Sequence, residues 1–165
     1  MVANTGTYVD SPFHRYADGA DLSELPLESL ANLDGIVIRN PGRAIGRAAF
    51  GDLDLRGKAV LVNTGWDRHW ITGQYFEGHP FLTADAAQHI VASRAALAGI
   101  DSFNIDDTAD LSRPAHSILL EAGIPVVEHL CNFAALPDSG FRLFAVPVKV
   151  KHFGSFPVRA FALAP

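Results

Sequence analysis

Residues 113–130 read RPAHSILLEAGIPVVEHL and carry the clearest pattern for the fold. Four apolar side chains recur at i, i+3, i+4 and i+7: Ala115, Ile118, Leu119 and Ala122. This spacing predicts a helix over residues 113–122, with Ser112 as its cap and Gly123 just past its end. Residues 125–130 are then typical of a strand. A helix followed directly by a strand is a building unit of α/β folds.

Outward from this stretch, β-branched and apolar runs alternate with helical patterns. Strands are predicted at residues 6–9, 35–39, 58–64, 102–105 and 142–149. Helices are predicted at residues 23–30 and 83–98, and residues 43–50 favour either a short helix or a turn. This alternation predicts a single α/β domain over residues 1–165, with a mixed sheet and flanking helices.

The composition excludes several classes of protein. The chain has 165 residues, of which 48% are hydrophobic and 19% charged, as expected for one globular domain and not for a disordered chain. Its net charge of −5 offers no basic surface to nucleic acid. No apolar run reaches the ~18–20 residues of a membrane span, and the first residues do not resemble a signal peptide. We therefore expect a cytoplasmic protein that binds a small-molecule substrate, without a nucleic-acid or membrane partner.

Asp10 and His14 lie four residues apart around Pro12. Proline fixes its own φ angle and biases Ser11 toward an extended backbone, so the two side chains lie on a stiff turn. Such a turn can hold two ligands in position. The alternative is a turn in which the Asp10 carboxylate accepts from nearby backbone amides and His14 is merely exposed.

Glu128 and His116 lie on consecutive elements, the predicted strand and the helix before it. Alternation along the strand places Glu128 on one face with Val126 and Leu130. A carboxylate buried there must be paired or bind a metal. The chain reversal after Gly123 can bring His116 back toward it. The alternatives are a salt bridge at a sheet edge for Glu128 and an ordinary helix position for His116.

The segment around residues 67–80 is crowded with rings. Trp66, Trp70 and Tyr75 can line a pocket for a flat or apolar substrate. The alternative is that these rings cover the core.

Residues 4–14 read NTGTYVDSPFH, which resembles the pattern H-x-G-T-H-x-D-x-P-x-H of the cyclase family of metal-dependent hydrolases, a family that includes kynurenine formamidase and isatin hydrolase. Two histidines of the pattern are replaced, by Asn4 and Tyr8. Later stretches are similar to the family in the same order: TGW at 64–66, HPFLT at 79–83, HSILL at 116–120, EHLCN at 128–132 and PVR at 157–159. The resemblance implies the family's swivelling β/α/β fold.

The resemblance also implies a centre for one divalent metal, zinc or manganese. Asp10, His116 and Glu128 would hold the ion, because two carboxylates and one histidine leave a position open for water. A metal there would lower the pKa of its bound water to about 7. His14 would be the catalytic residue, acting as base toward water and as acid toward the leaving group.

Asn4 and Tyr8 stand at positions that hold a first metal in the family's two-metal members. An amide oxygen and a phenol are poor zinc ligands at pH 7, so a second ion is not expected. We expect both side chains to fill the vacated space, with the Tyr8 hydroxyl donating to a carboxylate oxygen.

These features predict a metal-dependent hydrolase that cleaves an amide, formamide or cyclic amide or lactone bond. A second hypothesis is a degenerate member that binds a small molecule without catalysis, and a third is metal-free acid/base chemistry by Tyr8, His14 and Asp10. The resemblance further implies a homodimer or homotetramer. The chain starts almost at the motif, so the family's N-terminal segment is expected to be missing.

Overall fold

The computed structural model describes residue 2 and residues 4–164. The strands are β1 (Tyr8–Asp10), β2 (Leu33–Arg39), β3 (Ala44–Ile45), β4 (Ala59–Asn63), β5 (Phe81–Leu82), β6 (Leu97–Ile100), β7 (Val126–Glu128), β8 (Ser139–Phe144), β9 (Ser155–Pro157) and β10 (Phe161–Leu163). The α-helices are α1 (Ala84–Ala92) and α2 (Pro114–Glu121). Short 3-10 turns occur in other connections of the chain.

Eight of these strands form one mixed sheet in the order β10-β8-β2-β4-β6-β7-β1-β9, and β3 and β5 form a separate parallel pair. The central strands β2, β4, β6 and β7 run parallel. The outer strands β1, β8, β9 and β10 pair antiparallel. The predicted α/β class with a mixed sheet and flanking helices is confirmed.

Both faces of the sheet are covered. Successive residues of a strand point to opposite faces, so Val60 packs in one apolar cluster and Leu61 in the other. The first cluster includes Ile90 of α1 and Leu119 of α2. No helix in the described part of the chain is long and apolar enough to cross a membrane.

The predicted helix over residues 83–98 is wrong in its second half. Helix α1 ends at Ala92, and Arg94 takes a left-handed backbone with φ 57°. The apolar run that follows becomes β6, buried between β4 and β7. A run that is apolar at every position fits a buried parallel strand as well as a helix, and periodicity alone does not separate the two. Position 99 of this strand requires glycine, because the Cβ of any other residue would lie 2.7 Å from the Leu130 side chain and clash with it.

Other boundaries also differ from the sequence prediction. Residues 23–30 form only a 3-10 turn at Leu27–Ser29, and the run 102–105 is a loop instead of a strand. Residues 43–50 divide into β3 and a 3-10 turn. The strand predicted at 142–149 is β8, shifted toward the N-terminus, and β9 and β10 were not predicted.

Candidate metal centre

Strand pairing brings the two predicted carboxylates to one histidine. Strand β1 lies antiparallel to β7, with Tyr8 opposite Glu128 and Asp10 opposite Val126. Helix α2 leads into β7 and supplies His116. Its Nε2 lies 3.4 Å from Asp10 Oδ2 and 3.6 Å from Glu128 Oε1. Asp10 and Glu128 are fully buried and His116 is 2% exposed. The structure therefore brings Asp10, His116 and Glu128 together.

Asp106 fixes the orientation of His116. Its carboxylate accepts from Nδ1 of His116 at 2.6 Å, so Nε2 faces the other two carboxylates. It also accepts from the backbone amides of Ala115 at 2.5 Å and His116 at 3.1 Å, the free amides at the start of α2. The helix is therefore capped by Asp106 and not by the predicted Ser112. No role was predicted for Asp106 from the sequence.

His14 lies on the other side of Asp10. Its Nδ1 is 3.4 Å from Asp10 Oδ1 and 2.8 Å from Ser155 Oγ on β9. The Ser155 hydroxyl donates to Asp10, so its oxygen is left to accept from Nδ1–H of His14. This assignment leaves Nε2 of His14 as an acceptor. Burial lowers the pKa of His14, which favours the neutral ring at pH 7.

Tyr8 closes the Glu128 side of the centre. Its hydroxyl donates to Oε2 of Glu128, as predicted, and the backbone amide of Ile105 donates to Oε1 at 2.6 Å. Burial, together with the nearby carboxylates, raises the pKa of Tyr8 far above its usual value, so the phenol remains a donor. Asn4 is exposed and lines two cavities, one with His14 and one with Tyr8. It makes no hydrogen bond to the described residues of the centre, contrary to the expectation that it fills the space with Tyr8.

The centre concentrates negative charge in a buried place. Burial raises the pKa of Glu128. Burial alone would lower the pKa of His116, but the carboxylates of Glu128, Asp10 and Asp106 outweigh it and raise the pKa to about 10. The site therefore calls for a positive charge, which either the His116 imidazolium or a bound cation can supply.

The donor set fits a divalent metal. Ligand atoms of Asp10, His14 and His116 all lie within 4.8 Å of one another. Carboxylate oxygens and imidazole nitrogens are ligands of zinc and manganese. A metal-ligating histidine usually donates the N–H of its second ring nitrogen to a carboxylate, a backbone carbonyl or water, and His116 donates its Nδ1–H to Asp106. Glu128 contacts the same ring nitrogen of His116 and can complete the set.

The predicted aromatic residues divide between two roles. Trp70 lines a cavity of 330 Å³ that also contains Tyr8, so it lies beside the centre. Tyr75 is 1% exposed and lines a neighbouring cavity with Trp70. Trp66 donates through its Nε1 to the Tyr75 carbonyl at 3.0 Å, which holds the segment together.

A further buried carboxylate, for which no role was predicted from the sequence, anchors this aromatic segment. Asp101 follows β6 and accepts from the backbone amides of Thr64 at 2.9 Å and Gly65 at 2.7 Å. It also accepts from the Thr64 hydroxyl at 2.5 Å and from the Asn63 amide at 2.7 Å. Gly65 takes a left-handed backbone with φ 71°. Asp101 thereby fixes the turn that leads from β4 to Trp66.

Comparison with known proteins identifies the family of this chain. Residues 1–107 match the family described as "Putative cyclase", and the chain belongs to this family. The resemblance predicted from the motif is confirmed.

Particular relatives can also be named. The chain is 27% identical to a kynurenine formamidase of Bacillus cereus over 161 residues, covering 97% of this chain and 76% of that protein. It is similar, at 25% identity and a TM-score of 0.78, to the structure of a potential metal-dependent hydrolase with cyclase activity, covering 97% of this chain and 78% of that one. An isatin hydrolase bound to the product analogue thioisatinate shares the fold, with a TM-score of 0.87 at 24% identity, covering 100% of this chain and 73% of that chain.

Proposed function

We propose that this chain is a metal-dependent hydrolase that cleaves an amide, formamide, or cyclic amide or lactone bond. The observation that carries the proposal is the convergence of Asp10 and Glu128 on one nitrogen of His116, with the imidazole of His14, held through Nδ1 by Ser155, beside Asp10. The relationship to kynurenine formamidases supports the same reaction class.

Asp10, His116 and Glu128 would hold one zinc or manganese ion. When bound, such an ion acidifies water and polarises a carbonyl oxygen. Asp106 keeps Nε2 of His116 directed at the centre, because Nδ1 is engaged at 2.6 Å. The burial of all three ligands excludes bulk water and strengthens their electrostatic interactions.

His14 would move the proton. Its Nε2 accepts a proton from water as the water oxygen adds to the carbonyl carbon. The same nitrogen then returns the proton to the leaving nitrogen or oxygen as its bond to carbon breaks, so a formamide yields formic acid and an amine. Ser155 holds the ring in the required tautomer by accepting from Nδ1.

A second candidate function is binding of a small molecule without turnover. Tyr8 favours it, because its hydroxyl occupies one oxygen of Glu128 and Ile105 occupies the other. In this case the centre would keep His116 as an imidazolium in place of a metal.

Metal reconstitution tests the two candidates. Protein stripped with a chelator and reloaded with zinc or manganese should hydrolyse aryl formamides or cyclic imides, and chelation should abolish the activity. His14→Ala should abolish turnover while the metal content stays unchanged. His152→Ala is the matched control, because His152 lines the same cavity as His14 and is exposed. Activity that survives chelation or His14→Ala would contradict the mechanism, and loss of metal in His14→Ala would make His14 a ligand and not the base.

A further inference from the structure

The cavity beside Tyr8 has aromatic walls and a single charged residue. It measures 330 Å³, at the small end of the range of about 300–1,000 Å³ for small-molecule sites. Its rings come from Tyr8, Trp70, Phe76, Phe103 and His129. The charged residue in its wall is Arg113, which precedes α2.

Arg113 has no carboxylate partner in the described part of the chain. Its guanidinium donates to the neutral side-chain oxygen of Asn104 at 3.0 Å, and it takes part in none of the ion pairs of the described residues. A partly buried guanidinium with one neutral acceptor retains donors for a further, charged acceptor. Arg43, by comparison, pairs with Asp107 at 3.2 Å.

The placement of Arg113 is unfavourable for its own helix and backbone. It stands at the N-terminal end of α2, where the helix dipole disfavours a cation. Its backbone is left-handed, with φ 52°, a conformation that costs free energy in a residue with a side chain. A cation in such an unfavourable position is typical of a site where it binds an anionic ligand.

The remaining polar groups of the cavity are neutral. His129 donates through Nε2 to the Phe103 carbonyl at 2.9 Å, and burial lowers its pKa. Its ring therefore acts as a wall, 5.2 Å from the Tyr8 ring and 5.5 Å from the Trp70 ring. Asn4, Asn104 and Thr108 add uncharged donors and acceptors.

We infer that this cavity selects a substrate with an aromatic ring that carries an anionic substituent, a carboxylate above all, and that Arg113 is the specificity-determining residue. That the bound molecule is a substrate rests on the proposed function, whereas its binding does not. A ring between Trp70 and Phe103 would lie against Tyr8, next to Glu128. The carboxylate would receive a charge-assisted hydrogen bond from Arg113.

Binding of benzoate and of uncharged benzamide, which match in size, tests the inference. Quenching of tryptophan fluorescence reports binding, since Trp70 lines the cavity. We expect benzoate to bind at least about tenfold more tightly than benzamide, from one charge-assisted hydrogen bond. Arg113→Gln should remove this preference without changing benzamide binding, and Arg113→Lys should retain part of it. Arg47→Gln, the same charge change at an exposed arginine, should leave it unchanged.

Equal binding of the two probes would overturn the inference, and so would a preference that persists in Arg113→Gln or disappears in Arg47→Gln. Turnover is measured separately with 3-formamidobenzoate and formanilide. If neither is hydrolysed while the Arg113-dependent preference for benzoate holds, the proposed function fails and the anion site stands. If formanilide is hydrolysed as efficiently as 3-formamidobenzoate, the proposed function stands and the inference fails.

Discussion

Glu128 and Asp10 both contact His116, yet their surroundings differ. Both oxygens of Glu128 already accept hydrogen bonds from the protein, one from the Tyr8 hydroxyl and one from the Ile105 amide at 2.6 Å. The Glu128 half of the centre is therefore closed by donors that the chain itself provides.

The Asp10 half of the centre, by contrast, has groups that can bind a metal ion or accept a proton. Asp10, His14 and His116 place donor atoms within 4.8 Å of one another, and Ser155 links the first two. The two halves therefore differ at a replaced and at a retained position of the family motif. Where the family motif has a histidine and this chain has Tyr8, a phenol donates to Glu128, and where the motif is retained, the His14 ring lies beside Asp10.

The largest expected effect is that of His116→Ala, which removes the group shared by the two halves. Asp10, Glu128 and Asp106 would remain buried without a counter-charge, so we expect a loss of about 3–5 kcal/mol in the free energy of unfolding and loss of metal binding. Urea denaturation and metal analysis measure the two effects. His69→Ala, outside the centre, should change neither. If His116→Ala were as stable as the unaltered protein, His116 would not be the group that balances the charge of the three buried carboxylates.

Tyr8→Phe tests the closed half alone. Glu128 would lose one donor, and a hydrogen bond to a charged group contributes about 1.5–3 kcal/mol to stability. Thermal or urea unfolding measures this loss. Tyr75→Phe is the control, since Tyr75 is also a buried phenol but donates to no carboxylate of the described residues. Equal effects of the two substitutions would show that the Tyr8 hydroxyl does not stabilise Glu128.

Asp106→Asn tests how the hydrogen bond that Nδ1 of His116 donates to Asp106 affects metal binding. The amide would accept less strongly from Nδ1 of His116 and would present a donor toward the start of α2. We expect metal affinity to fall about 10–100-fold, as for other partners of metal-binding histidines. Titration with zinc against a competing chelator measures the affinity. Asp107→Asn is the control, because Asp107 is a neighbouring carboxylate that pairs with Arg43.

The smallest effect is expected for Ser155→Ala in the Asp10 half. The cavity lined by His14 and Ser155 can admit a water in place of the hydroxyl, so we expect a loss of only about 1 kcal/mol in stability. Ser11→Ala is a close control, because Ser11 is also buried and adjoins Asp10, but its hydroxyl has no hydrogen-bond partner among the described residues. A larger loss for Ser11→Ala would contradict the role given to Ser155.

Local sequence patterns predicted the α/β class, the helix that carries His116, the strand that carries Glu128 and the stiff turn at Asp10. Those features depend on periodicity and proline geometry within a few residues. The convergence of the three side chains followed from the family resemblance, since no local pattern pairs β1 with β7.

The errors and omissions have a common cause in long-range contacts. Residues 97–100 form a strand because β4 and β7 flank them, which an all-apolar run does not reveal. Ser155 acts on Asp10 across 145 positions of the chain, and Asp101 acts on the turn at Thr64 across 37. Only Asp106, which lies 10 positions before His116, was within reach of a local signal, as an acidic residue ahead of a helix.

Metal stoichiometry tests the central claim most directly. Protein reloaded with zinc or manganese and dialysed should contain about one equivalent of metal by elemental analysis, because three ligands remain and the first-metal histidines are absent. Asn4→His combined with Tyr8→His should raise the content toward two, while Asn4→His with Tyr8→Phe should not. Less than a few tenths of an equivalent, with no activity, would contradict a metal centre, and two equivalents in the unaltered chain would contradict the claim that Tyr8 closes half of it.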